Sequence, residues 1–405
     1  MTATFSLADG LGLAFRHLDE GKIGEAKRMA RRLEKSMPKL PGLAYLHGLI
    51  AAAEGEDVKA ARHFAQAIEE SPNAAAPLVA MARAQARQGR DAEAEDWYRR
   101  AIAVSPDPVA KRELARELSK RAMALQNAGR GAEALALFAE TVALDPESAE
   151  AAWMLGEARN INGDQGGAIE MFRRAAALDP SDRFGAKIML ARLGATDAPD
   201  KAPEAFVRHL FDQYADEFDQ ALTGKLNYRA PTLLIKAIRR ALGTGPFDCY
   251  DAGCGTGLMG AALQGMAKRL VGSDLSPRMI ERARKRDIYD ALTVGDFVTD
   301  LAAMPAAYDL VTAADVLVYL GDLGGVFAAV ARALRPGGGF AFTVERGADA
   351  DWSMGESGRY AHCAGYVRRL AASNGLAVAV LDEASTRDDR GAPVPGLVCV
   401  LEKSK

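Results

Sequence analysis

Five prolines constrain this chain more than any other feature. Pro38, Pro72, Pro106, Pro146 and Pro180 are spaced by 34, 34, 40 and 34 residues. Twelve residues before each stand Ala26, Ala60, Ala94, Ala134 and Ala168. Eight before stand Ala30, Phe64, Tyr98, Phe138 and Phe172, and five before stand Leu33, Ala67, Ala101, Thr141 and Ala175. These positions share one face of a helix, which proline then ends. An arbitrary helical bundle has no reason to keep a fixed period. A period of this length predicts stacked helix pairs, each burying its core only against its neighbours.

The small–aromatic–small–Pro order is similar to the tetratricopeptide repeat, and Leu155-Gly156 matches the Leu-Gly pair of its first helix. Five units follow: 7–40, 41–74, 75–108, 115–148 and 149–182. The 40-residue step predicts six extra residues around Pro108–Leu114, in a lengthened connection. Ser181 as N-cap and an amphipathic helix over Arg183–Leu193 would supply a polar cap to the stack. Gly194–Pro203 breaks all periodicity. The expected organisation is therefore an all-α solenoid over 1–194, a linker over 195–204 and a second domain over 205–405. The resemblance implies that the array binds a peptide or protein, or serves self-association.

Composition narrows the remainder. The 405 residues are 49% hydrophobic and 26% charged, with a net charge of −3, as in ordinary soluble domains. That balance gives no reason to expect nucleic acid as a partner. The longest apolar stretch, Gly42–Ala53, falls short of the ~20 residues a membrane helix needs. Asp9, Arg16, His17, Asp19 and Glu20 occupy the place of a leader's apolar core, so a cytoplasmic protein is expected. Four cysteines without a C-x-x-C pair predict neither a metal site nor disulfides.

From Pro246 onward short apolar runs alternate with helical patterns. Strands are expected at Phe247–Ala252, Leu270–Asp274, Leu292–Val294, Tyr308–Ala314, Phe340–Glu345, Leu376–Asp382 and Val394–Glu402. Helices are expected at Leu258–Lys268, Pro277–Lys285, Asp322–Leu334 and Ala361–Asn374, with Pro336-Gly-Gly-Gly339 reversing the chain. The alternation predicts a parallel sheet with an antiparallel addition at the end. Gly255-x-Gly257-x-x-Gly260 formally matches a dinucleotide fingerprint. Asp251, just before it, would repel a pyrophosphate and suits an ammonium group instead. Asp274 at the second strand's end can accept two ribose hydroxyls. Asp296 and Phe297, after the third strand, can bond and cover an adenine.

Together, Asp251, Gly253-Cys-Gly-Thr-Gly257, Asp274, Asp296 and Leu334-Arg-Pro-Gly-Gly338 resemble class I S-adenosylmethionine-dependent methyltransferases, in register over about 150 residues. Phe206–Asp219 followed by Leu226-Asn-Tyr-Arg229 looks like the entry segment of bacterial members that carry tetratricopeptide repeats upstream. The resemblance implies a Rossmann-like α/β domain that binds S-adenosylmethionine, releases S-adenosylhomocysteine and needs no metal. It implies cofactor contacts by Asp251, Gly253, Cys254, Gly255, Gly257, Asp274, Leu275, Asp296 and Phe297. Tyr214 and Phe218 either cover the cofactor or staple their helix to the sheet, and Arg229 is a candidate for the cofactor carboxylate.

The acceptor side rests on residue chemistry alone. Asp315 follows the fourth strand as a cofactor or acceptor contact, or as a helix N-cap. Tyr319 aligns an acceptor or simply packs. Trp352, in a segment over 346–357 that could close as a lid, lines an acceptor pocket or anchors its loop. Arg359 and Tyr360 are further substrate candidates, and the Arg359 guanidinium suits a carboxylate or phosphate acceptor or a salt bridge within the fold. His362 is a candidate general base at neutral pH, or a hydrogen-bonding residue at a helix start. The acceptor is a protein or peptide recruited by the repeats, or a small molecule. The alternative is a repeat scaffold whose cofactor domain acts as a sensor or stabiliser.

Overall fold

The computed structural model describes residues 7–216, 218–220, 227–389 and 391–405. Glu217 and Leu226 of the expected entry segment lie outside them. The chain divides into two compact units, Met1–Met171 and Phe172–Lys405. The division falls inside a helix of the last repeat, upstream of the boundary expected near residue 195.

The first half runs as five helix pairs: α1 Leu7–Asp19 with α2 Ile23–Ser36, α3 Leu43–Ala53 with α4 Asp57–Glu70, α5 Ala75–Arg87 with α6 Asp91–Val104, α7 Pro108–Asn127 with α8 Gly131–Leu144, and α9 Ala149–Ile161 with α10 Gln165–Leu178. Every periodic Ala, aromatic and small position is buried, the most exposed being Leu33 at 5%. Each proline stands two residues beyond its helix. A further period lies in the turns: Gly21, Gly55, Gly89, Gly129 and Gly163 all take positive φ, between 71° and 84°. Only glycine adopts this conformation at a helix end without strain. Where repeats meet, Arg83 of α5 pairs with Glu113 of α7, and Arg87 of α5 with Asp57 of α4.

The six extra residues do not lengthen a connection. They extend α7 to 20 residues, with Asp107 accepting the Ala110 N–H and Pro108 in the first turn. Nothing between Val109 and Asn127 breaks a helix, so the insertion is absorbed as helix.

The second unit contains α11 Ala186–Arg192, α12 Glu204–Tyr214, α13 Phe218–Gln220 and α14 Ala230–Leu242 before its sheet. Helix α11, expected as a cap for the repeats, places Ile188 in a cluster with Ala202, Val207 and Tyr360. The sheet comprises β1 Phe247–Ala252, β2 Ala267–Asp274, β3 Ala291–Val294, β4 Tyr308–Ala313, β5 Leu334–Arg346, β6 Trp352–Met354, β7 Tyr360–His362, β8 Leu376–Glu383 and, after the small hairpin of β9 Asp388–Asp389 and β10 Ala392–Pro393, β11 Gly396–Lys403. Helices α15 Leu258–Leu263, α16 Pro277–Arg284, α17 Phe297–Ala302, α18 Gly324–Ala333 and α19 Ala364–Ser373 connect them.

Strand order is β3-β2-β1-β4-β5-β11-β8. The first five are mutually parallel, and β11 runs antiparallel between β5 and β8. Order reverses beside β1, which places a crevice at the carboxyl ends of β1 and β4.

Four local expectations change. Helix α15 stops at Leu263 because Gly265 breaks it, and Ala267–Arg269 join β2. Pro336–Gly339 belong to β5 as an irregularity in its register with β4 rather than a reversal. Tyr360–His362 form a strand, so α19 starts only after Cys363, whose Sγ accepts the Tyr366 N–H. The segment expected as a lid is a β6–β7 ribbon paired to β5. Among the described residues no helix is long and apolar enough to cross a membrane.

Candidate functional site

A cleft of about 1270 Å³, including its open mouth, lies at the carboxyl ends of β1 to β4. Its floor is the turn Gly253–Thr256, where Gly253 and Gly255 take φ of 60° and 54°. A Cβ on Gly255 would meet only Phe218, at 3.9 Å, so bare backbone faces the space.

Asp274 ends β2 beside this turn. Its Oδ2 accepts the Gly255 N–H at 2.9 Å and its Oδ1 the Ser276 N–H at 2.8 Å. Burial pushes its carboxyl up to about 6, against those two N–H groups. Leu275, Asp296 and Phe297 continue the wall. Asp296 also caps α17, accepting the Val298 and Thr299 N–H groups at 3.2 and 3.3 Å. Opposite them, α12 contributes Val207 and Phe211, and Phe218 follows.

The far end is polar. Asp315 sits at φ 58°, a conformation that costs a non-glycine residue of order 1–3 kcal/mol. Its surroundings hold it there. The Asp315 N–H donates to Thr343 Oγ1 at 2.9 Å, and the Thr343 and Thr386 hydroxyls donate to Oδ1 at 3.1 Å each. Oδ2 receives Arg387 Nη1 at 3.1 Å, and Arg387 Nη2 binds Glu345. Arg359 stands 3.9 Å from the same Glu345. Asp315, Arg387, Arg359, Tyr228 and Tyr319 all line the cleft. Burial beside Asp315 and Asp251 holds the Tyr228 phenol well above its usual range, so it is a hydrogen-bond donor and not a phenolate. Tyr319 packs edge-on against Phe211, with centroids 5.5 Å apart.

The cleft thus gathers Gly253, Cys254, Gly255, Asp274, Leu275, Asp296, Phe297, Asp315, Tyr319 and Arg359 from the sequence expectations. Others are elsewhere. Tyr214 is 56% exposed on the outer face of α12, and Phe211, one turn earlier, takes the inward position. Arg229 turns away to Ser385 and Asp388, at 3.0 Å each. Gly257 faces Arg286 and Tyr289 rather than the cleft. Asp251 is buried beneath the turn, accepting the Tyr289 hydroxyl at 2.7 Å and the Thr312 hydroxyl at 2.9 Å. Its burial pushes the carboxyl up to about 6.

Trp352 anchors its ribbon: it stacks on Gly321 and meets Tyr360 edge-on at 5.6 Å. Tyr360 is fully buried and donates to the Pro199 carbonyl at 2.7 Å. His362 is also fully buried, with Nε2 3.0 Å from the Gly321 carbonyl, and burial lowers its pKa to about 4. It does not line the cleft, and its lowered basicity makes it a weak proton acceptor. Among the described residues no cluster of three or more His, Cys, Asp or Glu is placed to hold a metal ion.

Sequence reasoning passed over Phe211, Tyr228 and Arg387. Phe211 stands in α12 and needed only the correct helix phase, whereas Tyr228 lies in the stretch before α14, where no periodicity singles it out. Arg387, in the loop before β9, carries no local signal.

The chain is similar to known proteins over both halves. Residues 250–340 match the family model of a methyltransferase domain, and residues 78–108 and 119–183 match tetratricopeptide repeat models. A ubiquinone biosynthesis O-methyltransferase of Thiobacillus denitrificans is 34% identical over 101 residues, 23% of this chain and 42% of that protein. A malonyl-[acyl-carrier protein] O-methyltransferase of Serratia marcescens is 29% identical over 153 residues, 37% of this chain and 56% of that one. The chain thus spans about half or less of these curated relatives. Among solved structures, magnesium protoporphyrin IX methyltransferase from Synechocystis with bound S-adenosylmethionine is 16% identical, with a TM-score of 0.39 over 50% of this chain and 97% of that one.

Proposed function

We propose that this chain, a methyltransferase domain carried behind tetratricopeptide repeats, transfers the methyl group of S-adenosylmethionine to an acceptor. The observation that carries the reading is the pairing of Asp274 with the bare Gly253–Thr256 turn at the switch point of the sheet. Each Asp274 oxygen takes one backbone N–H and keeps a lone pair for a ribose hydroxyl. Asp296 and Phe297 would hold and cover the adenine, and the Gly253–Gly255 backbone would take the amino-acid end.

The donor supplies an activated methyl on a cationic sulfur, displaced in line with a neutral leaving group. The protein's contribution is then alignment and exclusion of water. Phe211, Phe218 and Tyr319 form the apolar side of the cleft. Tyr228 donates a hydrogen bond, and Arg359 offers a positive group to an acceptor. Asp315 already accepts three hydrogen bonds, so its role is to fix the Val316–Tyr319 loop rather than to remove a proton. We further propose that the repeats recruit or present a protein or peptide acceptor, with a small-molecule acceptor as the other possibility.

Calorimetric titration with S-adenosylmethionine, S-adenosylhomocysteine and NADH tests the reading. Micromolar binding of the first two and none of NADH is expected. Absence of binding by both adenosyl ligands overturns it and moves the function to the repeats.

A further inference from the structure

The glycines that read as a nucleotide fingerprint already have an occupant. A Cβ on Gly260 would stand 2.2 Å from the Tyr289 Oη and 2.4 Å from its Cζ. One on Gly272 would be 2.9 Å from Cε1, and one on Gly257 3.1 Å from Cε2. Glycines at the cap of α15, in its first turn and in β2 therefore enclose one aromatic ring. That ring arrives from the segment between α16 and β3, and its hydroxyl donates to Asp251 Oδ2. Neither Tyr289 nor Asp251 lines the cleft, whereas Gly253, Cys254 and Gly255, separated from Asp251 by Ala252 alone, do.

Glycines give a turn freedom but nothing to hold its shape. The shape must be imposed from outside. Asp274 does so from the side, through the Gly255 N–H. From below, Asp251 is the last polar side chain before the turn, and a buried carboxylate keeps one orientation only while its oxygens are hydrogen-bonded. Thr312 of β4 holds one oxygen and Tyr289 the other.

We propose that Tyr289 is a positioning residue for the cofactor turn: its hydroxyl sets Asp251 beneath Gly253–Gly255, and Gly260 and Gly272 are glycine to seat its ring rather than to admit the cofactor, whereas Gly257 is already required by its φ of 91°. This rests on the reading of the cleft as the S-adenosylmethionine site. The groups facing Asp251 are the Tyr289 and Thr312 hydroxyls, the Gly260 N–H of α15, the Asp274 carboxyl of β2, Cys249 of β1, Cys254 of the turn and Tyr228 before α14. Of these, the Tyr289 hydroxyl and its neighbours Thr312 and Gly260 favour the ionised form.

The test is calorimetric titration of the full chain with S-adenosylhomocysteine between about pH 5 and pH 8, with melting temperatures taken alongside. Tyr289→Phe keeps the ring and removes the hydroxyl, and is expected to weaken binding about tenfold. Its affinity is expected to fall at higher pH than in the wild type, because Asp251 has lost a donor to its ionised form. A ring that only fills space would not move that profile. Gly260→Ala is expected to weaken binding about tenfold or more in the wild type, and less than about threefold when added to Tyr289→Leu, where the clash is gone. If Tyr289→Leu binds too weakly, the same cycle is read from melting temperatures. An equal Gly260→Ala effect in both backgrounds overturns the seat. Wild-type affinity with an unmoved profile in Tyr289→Phe overturns the positioning role. Failure of the wild type itself to bind the ligand sinks the functional reading, a result distinct from either.

Discussion

The Asp274 carboxylate accepts the Gly255 N–H at 2.9 Å, so the last side chain of β2 fixes the turn that follows β1. One residue thereby shapes the turn and faces the cleft. Asp274→Ala is expected to weaken S-adenosylhomocysteine binding by about 1.5–3 kcal/mol, the range for a charged hydrogen bond. Calorimetry reads this directly, and unchanged affinity rejects the role.

Acidity acts on the free protein and on its complex in opposite senses. Asp251 and Asp274 have carboxyls raised from 3.8 to about 6 by burial. Their protonated forms stabilise the fold, a contribution fully present below about pH 3.8 and lost as pH rises through about 6. Ligand held by an ionised Asp274 works the other way. Saturating S-adenosylhomocysteine should therefore raise the melting temperature more at about pH 7.5 than at about pH 5. An equal rise at both would contradict the assignment.

His362 has the reverse dependence. Its pKa is lowered from 6.5 to about 4, so the neutral ring stabilises the fold above about 6.5, and that stability is lost as pH falls through about 4. His362→Gln should flatten this acid slope, worth up to about 3 kcal/mol, and leave ligand affinity unchanged. Urea unfolding at several pH values measures it. A slope as steep as in the wild type would show that the buried imidazole is not its source.

Arg387 bridges Asp315 and Glu345 with its side chain 4% exposed. Arg387→Met removes the shared partner of two carboxylates, and breaking such a pair costs about 3–5 kcal/mol. Chemical denaturation should show a loss of that size. A loss below about 1 kcal/mol would mean that solvent reaches the network.

In the repeats, Gly48 gives Phe64 its space: a Cβ there would lie 2.4 Å from the ring. Gly48→Ala should destabilise the first unit by about 1–3 kcal/mol through overpacking, seen as a lowered unfolding temperature by circular dichroism. No change would mean that the Phe64 ring moves aside freely.

What the sequence disclosed follows from how local each signal is. Pro38 to Pro180 mark helix ends one residue at a time, so the five pairs could be counted, and α7 misled only because an insertion without a breaker simply continues the helix. Asp274, Asp296 and Asp315 were visible because strand ends in such a sheet all open onto one edge. Tyr214 and Phe211 are one turn apart on α12, and at the end of an 11-residue helix their apolar rings are interchangeable by sequence alone. His362 and Tyr360 were misplaced because a three-residue strand leaves too little alternation to recognise. The Arg387–Asp315 pair joins residues 72 apart, and nothing near either one announces the other.

Asp315 is caught between two demands. Its backbone, at φ 58°, asks for glycine, while Thr343, Thr386 and Arg387 ask for a carboxylate. Glycine there would relax the chain and strand the arginine, and any larger acid would keep the strain and lose the fit. In the Val316–Tyr319 segment it launches, Leu317 and Val318 are fully buried, and Tyr319 is the partly exposed residue at the cleft end. If this wall meets the acceptor as proposed, the cleft can vary at Tyr319 while the hinge stays frozen, so new specificities would arise downstream of Asp315 and not at it.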